Sequence, residues 1–453
     1  MTEEPEIGTK KYLFSNKDLV KLILPLIADQ FLQALVGLAD SVMIASVGEA
    51  AVSGVSLVDT LMFLVISIFS AVATGGAVIA GQYLGKNNEE MACKAANELL
   101  SFILKASLTV TVLAYLGRNL MIRTIFGNIE QDVMYNCKVY MIIVFASIPM
   151  IALYNAGTSL YRAMGDSALA MKISLLMNGV NIGGNALLIY GLHRGIEGAA
   201  IPTVLSRGLA CGLILFYLDR PGNRIHIYHP FSLKTQWMLL KKILYLGVPN
   251  GLENSMFQLG KILVLSVVSS FGTASIAANA VANNIASFAI LPGLAMGFAM
   301  LPVAAQCVGA GDFDLVSYYT KKLMKAVYIC LLISNAVVVL LLPVIIRAYG
   351  LSEEAGGYTY RILIFYCGCV VTIWPPSFFL PNTLRAAADV KFTMILSVIS
   401  MWIFRIGCSV VFAVHLNMGV FGIWVAMGVD WLFRGICFTV RYKRGKWKHM
   451  SVV

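Results

Sequence analysis

The sequence predicts an all-α integral membrane protein: twelve transmembrane helices in two six-helix bundles related by a pseudo-two-fold axis. Composition and an internal repeat carry this prediction, and charge placement orients it. Hydrophobic residues make up 59% of the 453-residue chain and charged residues 13%, with a mean hydropathy of +0.80. Apolar stretches such as Leu61–Val78, Ile142–Leu153 and Leu331–Ile346 each belong to a span of the ~20 residues that cross a bilayer. Only helices or closed barrels satisfy the backbone in lipid, and runs this continuous are helical. The first stretch starts near Leu19 and carries two acids, so a retained helix is expected and a cleaved leader is not.

The repeat has a period of 224 residues. At that shift Pro25 falls on Pro249, Gly48 on Gly272, Gln82 on Gln306, Gly85 on Gly309, Gly195 on Gly419 and Gly198 on Gly422. Asp29-Gln30 falls on Glu253-Asn254, and Arg162 and Asp166 meet Arg385 and Asp389 at 223. The expected organisation is an N-terminal lobe over 1–219, a connection over 220–237 and a C-terminal lobe over 238–453. Substrate sites of duplicated transporters lie between the repeats.

The expected helices are α1 18–47, α2 51–83, α3 95–118, α4 133–163, α5 167–192 and α6 196–219. The second half supplies α7 238–271, α8 275–308, α9 318–348, α10 355–386, α11 390–415 and α12 419–441. Lys10, Lys11, Lys86, Lys94, Arg220, Arg224, Lys234, Lys241, Lys242, Lys321, Lys322, Lys391 and the run Arg441–Lys448 gather at one set of ends. The opposite ends offer little beyond Arg118, Arg123, Arg194 and Arg347. By the positive-inside bias both termini and the connection are cytoplasmic, in the plasma membrane. Six helices per half make the repeats parallel, about an axis along the membrane normal.

The net charge of +11 is therefore a topology signal, and no nucleic-acid partner is expected. The nine cysteines are scattered without metal-ligand spacing and read as packing residues. His226 and His229 read as surface histidines with no acidic or thiol companion. No phosphate loop, nucleophile–base pair or cofactor motif is found, so no enzyme activity and no cofactor are expected. If the chain pumps, an ion gradient supplies the energy. Expected partners are the lipid bilayer and small organic substrates, with the chain as a monomer.

A carboxylate at the bilayer centre costs about 2.5–3.5 kcal/mol on insertion scales, so each one needs a reason. Asp40 in α1 lies about seven residues, roughly 10 Å, below the outer surface. Asp29, Gln33 and Asp40 share one face of α1. At similar depth come Asn185 in α5, with Asn181 one turn below, Thr203 in α6 and Tyr140 in α4. This layer offers one carboxylate, two amide oxygens and two hydroxyls, suited to a proton on Asp40 or to a Na⁺ held by oxygens. A dry pocket disfavours the carboxylate and a bound cation favours it, which makes the site switchable. A buried acid that merely packs the bundle is the alternative.

The second half has Val264 where the first has Asp40. Instead Asn250, Asn254, Gln258 and Lys261 form a polar stripe down α7, and Asn279 and Asn283 extend it on α8. These residues, with Asp29, Gln33 and Glu253, are expected to line a substrate cleft between the lobes, with Asp29 and Glu253 near the cytoplasmic mouth. Arg405 in α11 and Asp430 in α12 share a depth and read as a structural ion pair. The pairs Arg162/Asp166 and Arg385/Asp389 read as turn fasteners. Pro25 and Pro249 lie inside helical runs and are possible bending points, as are Pro292 and Pro375-Pro376.

With the 6+6 repeat, several segments resemble the multidrug and toxic compound extrusion transporters. They are GLADSVMIASVGEAAVSG (37–54), VIAGQYLGK (78–86), LYRAMGD (160–166), NGVNIGGN (178–185), GIEGAAIPTV (195–204), GTASIAANAVANNI (272–285) and WIFRIG (402–407). The resemblance covers nearly the whole chain. It implies two lobes arranged as a V that alternates between outward and inward openings, exporting organic and often cationic compounds against entering Na⁺ or H⁺. It also implies that Asp40 is the helix-1 acid, Pro25 the helix-1 hinge, and Tyr140, Asn181 and Thr203 the cation-site partners. A second acid that several members carry on helix 5 is Asn185 here. The site thus has less charge for Na⁺, which favours H⁺. An acid that some relatives keep on helix 7 is replaced by Phe257 and Gln258. A flippase of a lipid-linked amphiphile in the same superfamily is the other reading, and it calls for several cations at mid-membrane facing the cavity.

Overall fold

The structure is a computed structural model that describes residues 13–126, 130–227 and 235–450. It contains twelve helical rods and, among the described residues, no strand. The first lobe comprises α1 (Asn16–Ala45), α2 (Glu49–Gly85), α3 (Glu89–Phe126), α4 (Gln131–Phe145 and Ile148–Ala163), α5 (Ala168–Asn185, continued by Ala186–Gly191) and α6 (Glu197–Leu218). The second comprises α7 (Trp237–Ser269), α8 (Thr273–Ala289 and Leu291–Gly309), α9 (Phe313–Ala348) and α10 (Glu353–Thr372, then Pro375–Ala386). It closes with α11 (Val390–His415) and α12 (Gly419–Lys443). Lys10, Lys11, His229 and Lys234 lie outside the described residues, as does the side chain of Arg123.

Local chemistry explains where these rods begin and bend. Ser15 caps α1 reciprocally with Asp18: Asp18 N–H donates to Ser15 Oγ at 3.2 Å and Ser15 N–H to Asp18 Oδ2 at 3.0 Å. The halves of α4 meet at 50° and those of α10 at 62°, the latter where Pro375 and Pro376 remove backbone donors. α8 breaks at Ile290, just before Pro292. By contrast, α1 and α7 run as single helices through Pro25 and Pro249. Nine of the described helices are long and apolar enough to cross a membrane, eleven when each bent pair counts as one. The remaining rod is α7, whose polar stripe lowers its hydropathy.

The two lobes are pinned together at the end where α1 begins and α12 finishes. Gln82 Nε2 donates to Ala386 O at 2.8 Å, and its repeat partner Gln306 Nε2 donates to Ala163 O at 2.7 Å. Phe14 on the N-terminal side exchanges two hydrogen bonds with the Tyr319 hydroxyl, at 2.9 and 2.8 Å. Gly85 packs directly against the Gln306 backbone, and Gly309 against that of Gln82. A methyl group fits at neither position. Gly85→Ala or Gly309→Ala should therefore push α2 and α8 apart at an overpacking cost of about 1–3 kcal/mol. Spin-label distances across this end should lengthen; an unchanged distribution would show that the glycine contact does not hold the lobes shut.

Nearer the middle, α2 crosses α7 at Gly75 and Gly247, where an added Cβ on Gly75 would sit 2.7 Å from Gly247 N. Toward the far end Asp59, Thr60 and Phe63 on α2 and Lys261 on α7 are exposed. The lobes are thus in contact from the end where α1 begins to mid-length, and these groups beyond the contact are exposed.

A polar pocket in the first lobe and a charged cluster in the second

α1, α5 and α6 bring four of the expected groups together. Asn185 Nδ2 donates to Asp40 Oδ1 at 2.9 Å. The Asn181 amide bridges Asp40 and Thr203: its Nδ2 donates to Asp40 Oδ1 and Oδ2 at 3.0 and 3.1 Å while its Oδ1 accepts from Thr203 Oγ1 at 3.1 Å. Two donating amides suit the bare carboxylate. Asn185 is followed at once by a π-helical turn, Ala186–Gly191, a feature frequent at functional sites.

Tyr140 sits elsewhere in the layer. Its hydroxyl donates to Asp59 Oδ1 at 3.3 Å, and Asp59 on α2 is an acid the depth argument overlooked. Arg207 of α6 is the second omission: its Nη1 donates to Ser147 Oγ at 2.8 Å. Asp40, Asp59 and Arg207 lie within electrostatic reach of one another. The pocket therefore holds two carboxylates and one guanidinium, and the expectation of a single carboxylate is corrected. Its formal charge is still that of one acid. Applying the depth test to charged residues of α2 and α6, and not only to oxygen donors of α4 to α6, would have found both.

Asp29 is buried at 7% exposure, with Gln33 Nε2 donating to Oδ2 at 3.0 Å. Arg162 and Tyr154 lie within its electrostatic reach. Arg162 itself donates to Thr158 Oγ1 at 3.3 Å and sits 5.3 Å above the Phe298 ring of the other lobe. Gln33 is exposed.

The second lobe departs further from expectation. Glu253 is buried, not at a solvated mouth. Its Oε1 accepts from Arg385 Nη2 at 2.8 Å, and Arg434 Nη2 lies 3.6 Å away. Arg385 is therefore no turn fastener. Asp389 pairs with Arg441 instead, at 2.7 and 3.0 Å, and Asp166 caps the start of α5 through Ala168 N–H at 3.0 Å. These arginines point along the bundle toward acids of other helices, which a four-residue spacing in one chain segment cannot reveal.

Arg405 and Asp430 do face one another, but at 4.0 Å, while the Ser400 hydroxyl donates to the same carboxylate. Asn279 turns into the lobe and accepts from Trp424 Nε1 at 3.1 Å, so it does not line the cleft. Asn250, Asn254 and Gln258 are half-buried; Asn283 and Lys261 are exposed. Around Phe257 stand three cations: Arg405 at 5.2 Å from the ring centre, Lys261 at 5.7 Å and Arg434 at 5.8 Å.

His226 also has a companion after all, since Cys93 Sγ lies 3.7 Å from its Nδ1. No metal-ligand cluster is found among the described residues.

The MatE family model matches residues 25–187 and 249–411, once in each lobe. "Uncharacterized transporter YisQ" of Bacillus subtilis is 25% identical over 97% of the chain and 96% of its own length. "Probable multidrug resistance protein NorM" of Thermotoga maritima is 22% identical, covering 97% and 94%. Among solved structures, "Crystal structure of MATE in complex with MaL6" superposes with a TM-score of 0.88 at 22% identity, covering 96% of both chains.

Proposed function

The chain belongs to the MatE family, and from that premise we propose that it is a cation-coupled antiporter, driven by H⁺ through Asp40. It is a multi-pass membrane transporter whose relatives are named for multidrug resistance. In the proposed orientation both termini are cytoplasmic, the pinned end faces inward and the monomer's cleft opens outward. The substrates are small organic compounds, and the coupling ion enters the first-lobe pocket as they leave.

The observation that carries this reading is the Asp40–Asn181–Thr203–Asn185 contact set. Asn181 and Asn185 both donate to the Asp40 carboxylate, and a proton on it would displace one of these donors. The hydroxyl of Thr203 has a second acceptor, Ala199 O at 2.8 Å. Protonation thus changes a connected set of bonds on α1, α5 and α6, and Pro25 gives α1 a point at which to bend. To do work the proton must favour one conformation over the other, since equal affinity for both shifts nothing. One charge moving inward is worth about 2.3 kcal/mol per 100 mV, about 50-fold accumulation at full coupling. Arg207 offsets one of the two acids and leaves too little net charge to favour Na⁺.

Proteoliposomes with pH and Na⁺ gradients imposed separately test this. A pH gradient alone should drive dye export. Export driven by Na⁺ alone would contradict the assignment of the ion, and export driven by neither would contradict antiport.

A further inference from the structure

The cluster on α7, α10, α11 and α12 has four basic side chains, Lys261, Arg385, Arg405 and Arg434, and two acidic ones, Glu253 and Asp430. Glu253 is taken up by Arg385 and Arg434, and Asp430 by Ser400 with Arg405 at 4.0 Å. Among the described residues no carboxylate pairs with Lys261, whose charged neighbour is Arg405. Both cations border the Phe257 ring, at 5.7 and 5.2 Å from its centre. Attraction to the ring is worth only about 0.5–1 kcal/mol at an exposed site. It does not remove the repulsion between two like charges held at membrane depth, where each needs a partner.

Lys261 is exposed and Arg405 retains 13% side-chain exposure, so the pair is not sealed inside the lobe. The chemistry that completes it is an oxyanion. A guanidinium offers a planar fork to a carboxylate or phosphate, and an ammonium supplies a point charge beside it. Phe257 adds an apolar ring for the body of the same molecule. In the facing lobe, Asp40 and Asp59 outnumber Arg207. The two lobes therefore carry polar clusters of opposite sign, acidic in the first and basic in the second.

We propose that Lys261 and Arg405, flanking Phe257, form a subsite for the carboxylate or phosphate of an amphiphilic substrate, an inference that rests on the reading of the chain as an efflux transporter. The substrates it favours are organic anions and zwitterions, whose cationic end, where present, points toward the first lobe.

The test is equilibrium binding of two dyes to full-length protein in nanodiscs, without any gradient. Rhodamine B carries a free carboxylate; its ethyl ester keeps the chromophore and loses that charge. The wild type should bind the acid about tenfold more tightly than the ester, a difference of about 1.4 kcal/mol. Lys261→Glu should weaken the acid at least tenfold and so erase or reverse the preference while the ester still binds, and Lys261→Gln should fall between. Ester binding also reports that the variants are folded. Equal wild-type affinities, or a parallel loss of both dyes in Lys261→Glu, would overturn the subsite. Neutral and anionic lipid nanodiscs separate the two sources of an oxyanion: a preference that survives both assigns the site to a solute. A preference abolished by phosphatidylglycerol would overturn that assignment in favour of a lipid headgroup. Failure of gradient-driven efflux leaves this binding assay untouched, so coupling and subsite stand or fall separately.

Discussion

Asp40→Asn should abolish ion-driven efflux in a protein that still folds. Asparagine keeps the size of the side chain and an oxygen for Asn185 Nδ2, which donates at 2.9 Å in the wild type. It removes the group that can gain or lose a proton. With no difference in charge between the two states of the pocket, the ion gradient has nothing to act upon. The accumulation ratio should fall from about 50 at 100 mV to 1, while downhill exchange of dye continues. Full retention of uphill export would end the coupling scheme.

Glu253→Gln should be the most destabilising single change in the second lobe. The carboxylate is 6% exposed and answers two guanidiniums, Arg385 at 2.8 Å and Arg434 at 3.6 Å. Arg434 is itself 2% exposed. Neutralising the acid leaves Arg385 and Arg434 without their shared carboxylate, and breaking a buried pair by removing one partner costs about 3–5 kcal/mol. Asp29→Asn, at the equivalent place in the first lobe, should cost much less. There the acid's hydrogen bond comes from neutral Gln33, and Arg162 has Thr158 and Phe298 to rest against. Unfolding of the two variants in detergent should separate them clearly; similar losses would mean that Arg385 and Arg434 do not depend on Glu253.

The contrast between these two acids shows what the sequence could disclose. The 224-residue period foretold that Asp29 and Glu253 occupy matching places, and the paired Gln82 and Gln306 bonds across the lobes follow the same register. Distance from a helix end gave depth, and depth was enough to gather Asp40, Asn181, Asn185 and Thr203 into one layer. Depth does not give rotation about the helix axis relative to neighbouring helices. Asn279 and Glu253 were placed on the right helices and assigned to the wrong surroundings, because the groups that meet them, Trp424, Arg385 and Arg434, are remote in the chain. Asp59 and Arg207 are a different case: they are charged side chains on α2 and α6 at the same depth, outside the set of uncharged oxygen donors on α4 to α6.

The α-to-π transitions in α5 and α11 had no sequence signal. They follow Asn185 in one lobe and enclose Arg405 in the other. π segments of this kind recur at functional sites.

The central claim is that substrate and proton compete through Asp40. Calorimetry of dye binding at one pH, in two buffers of different ionisation enthalpy, counts the protons exchanged. The wild type should release about one proton per dye bound, and Asp40→Asn should release none. Equal release by both proteins would place the coupling proton on another group and contradict the account.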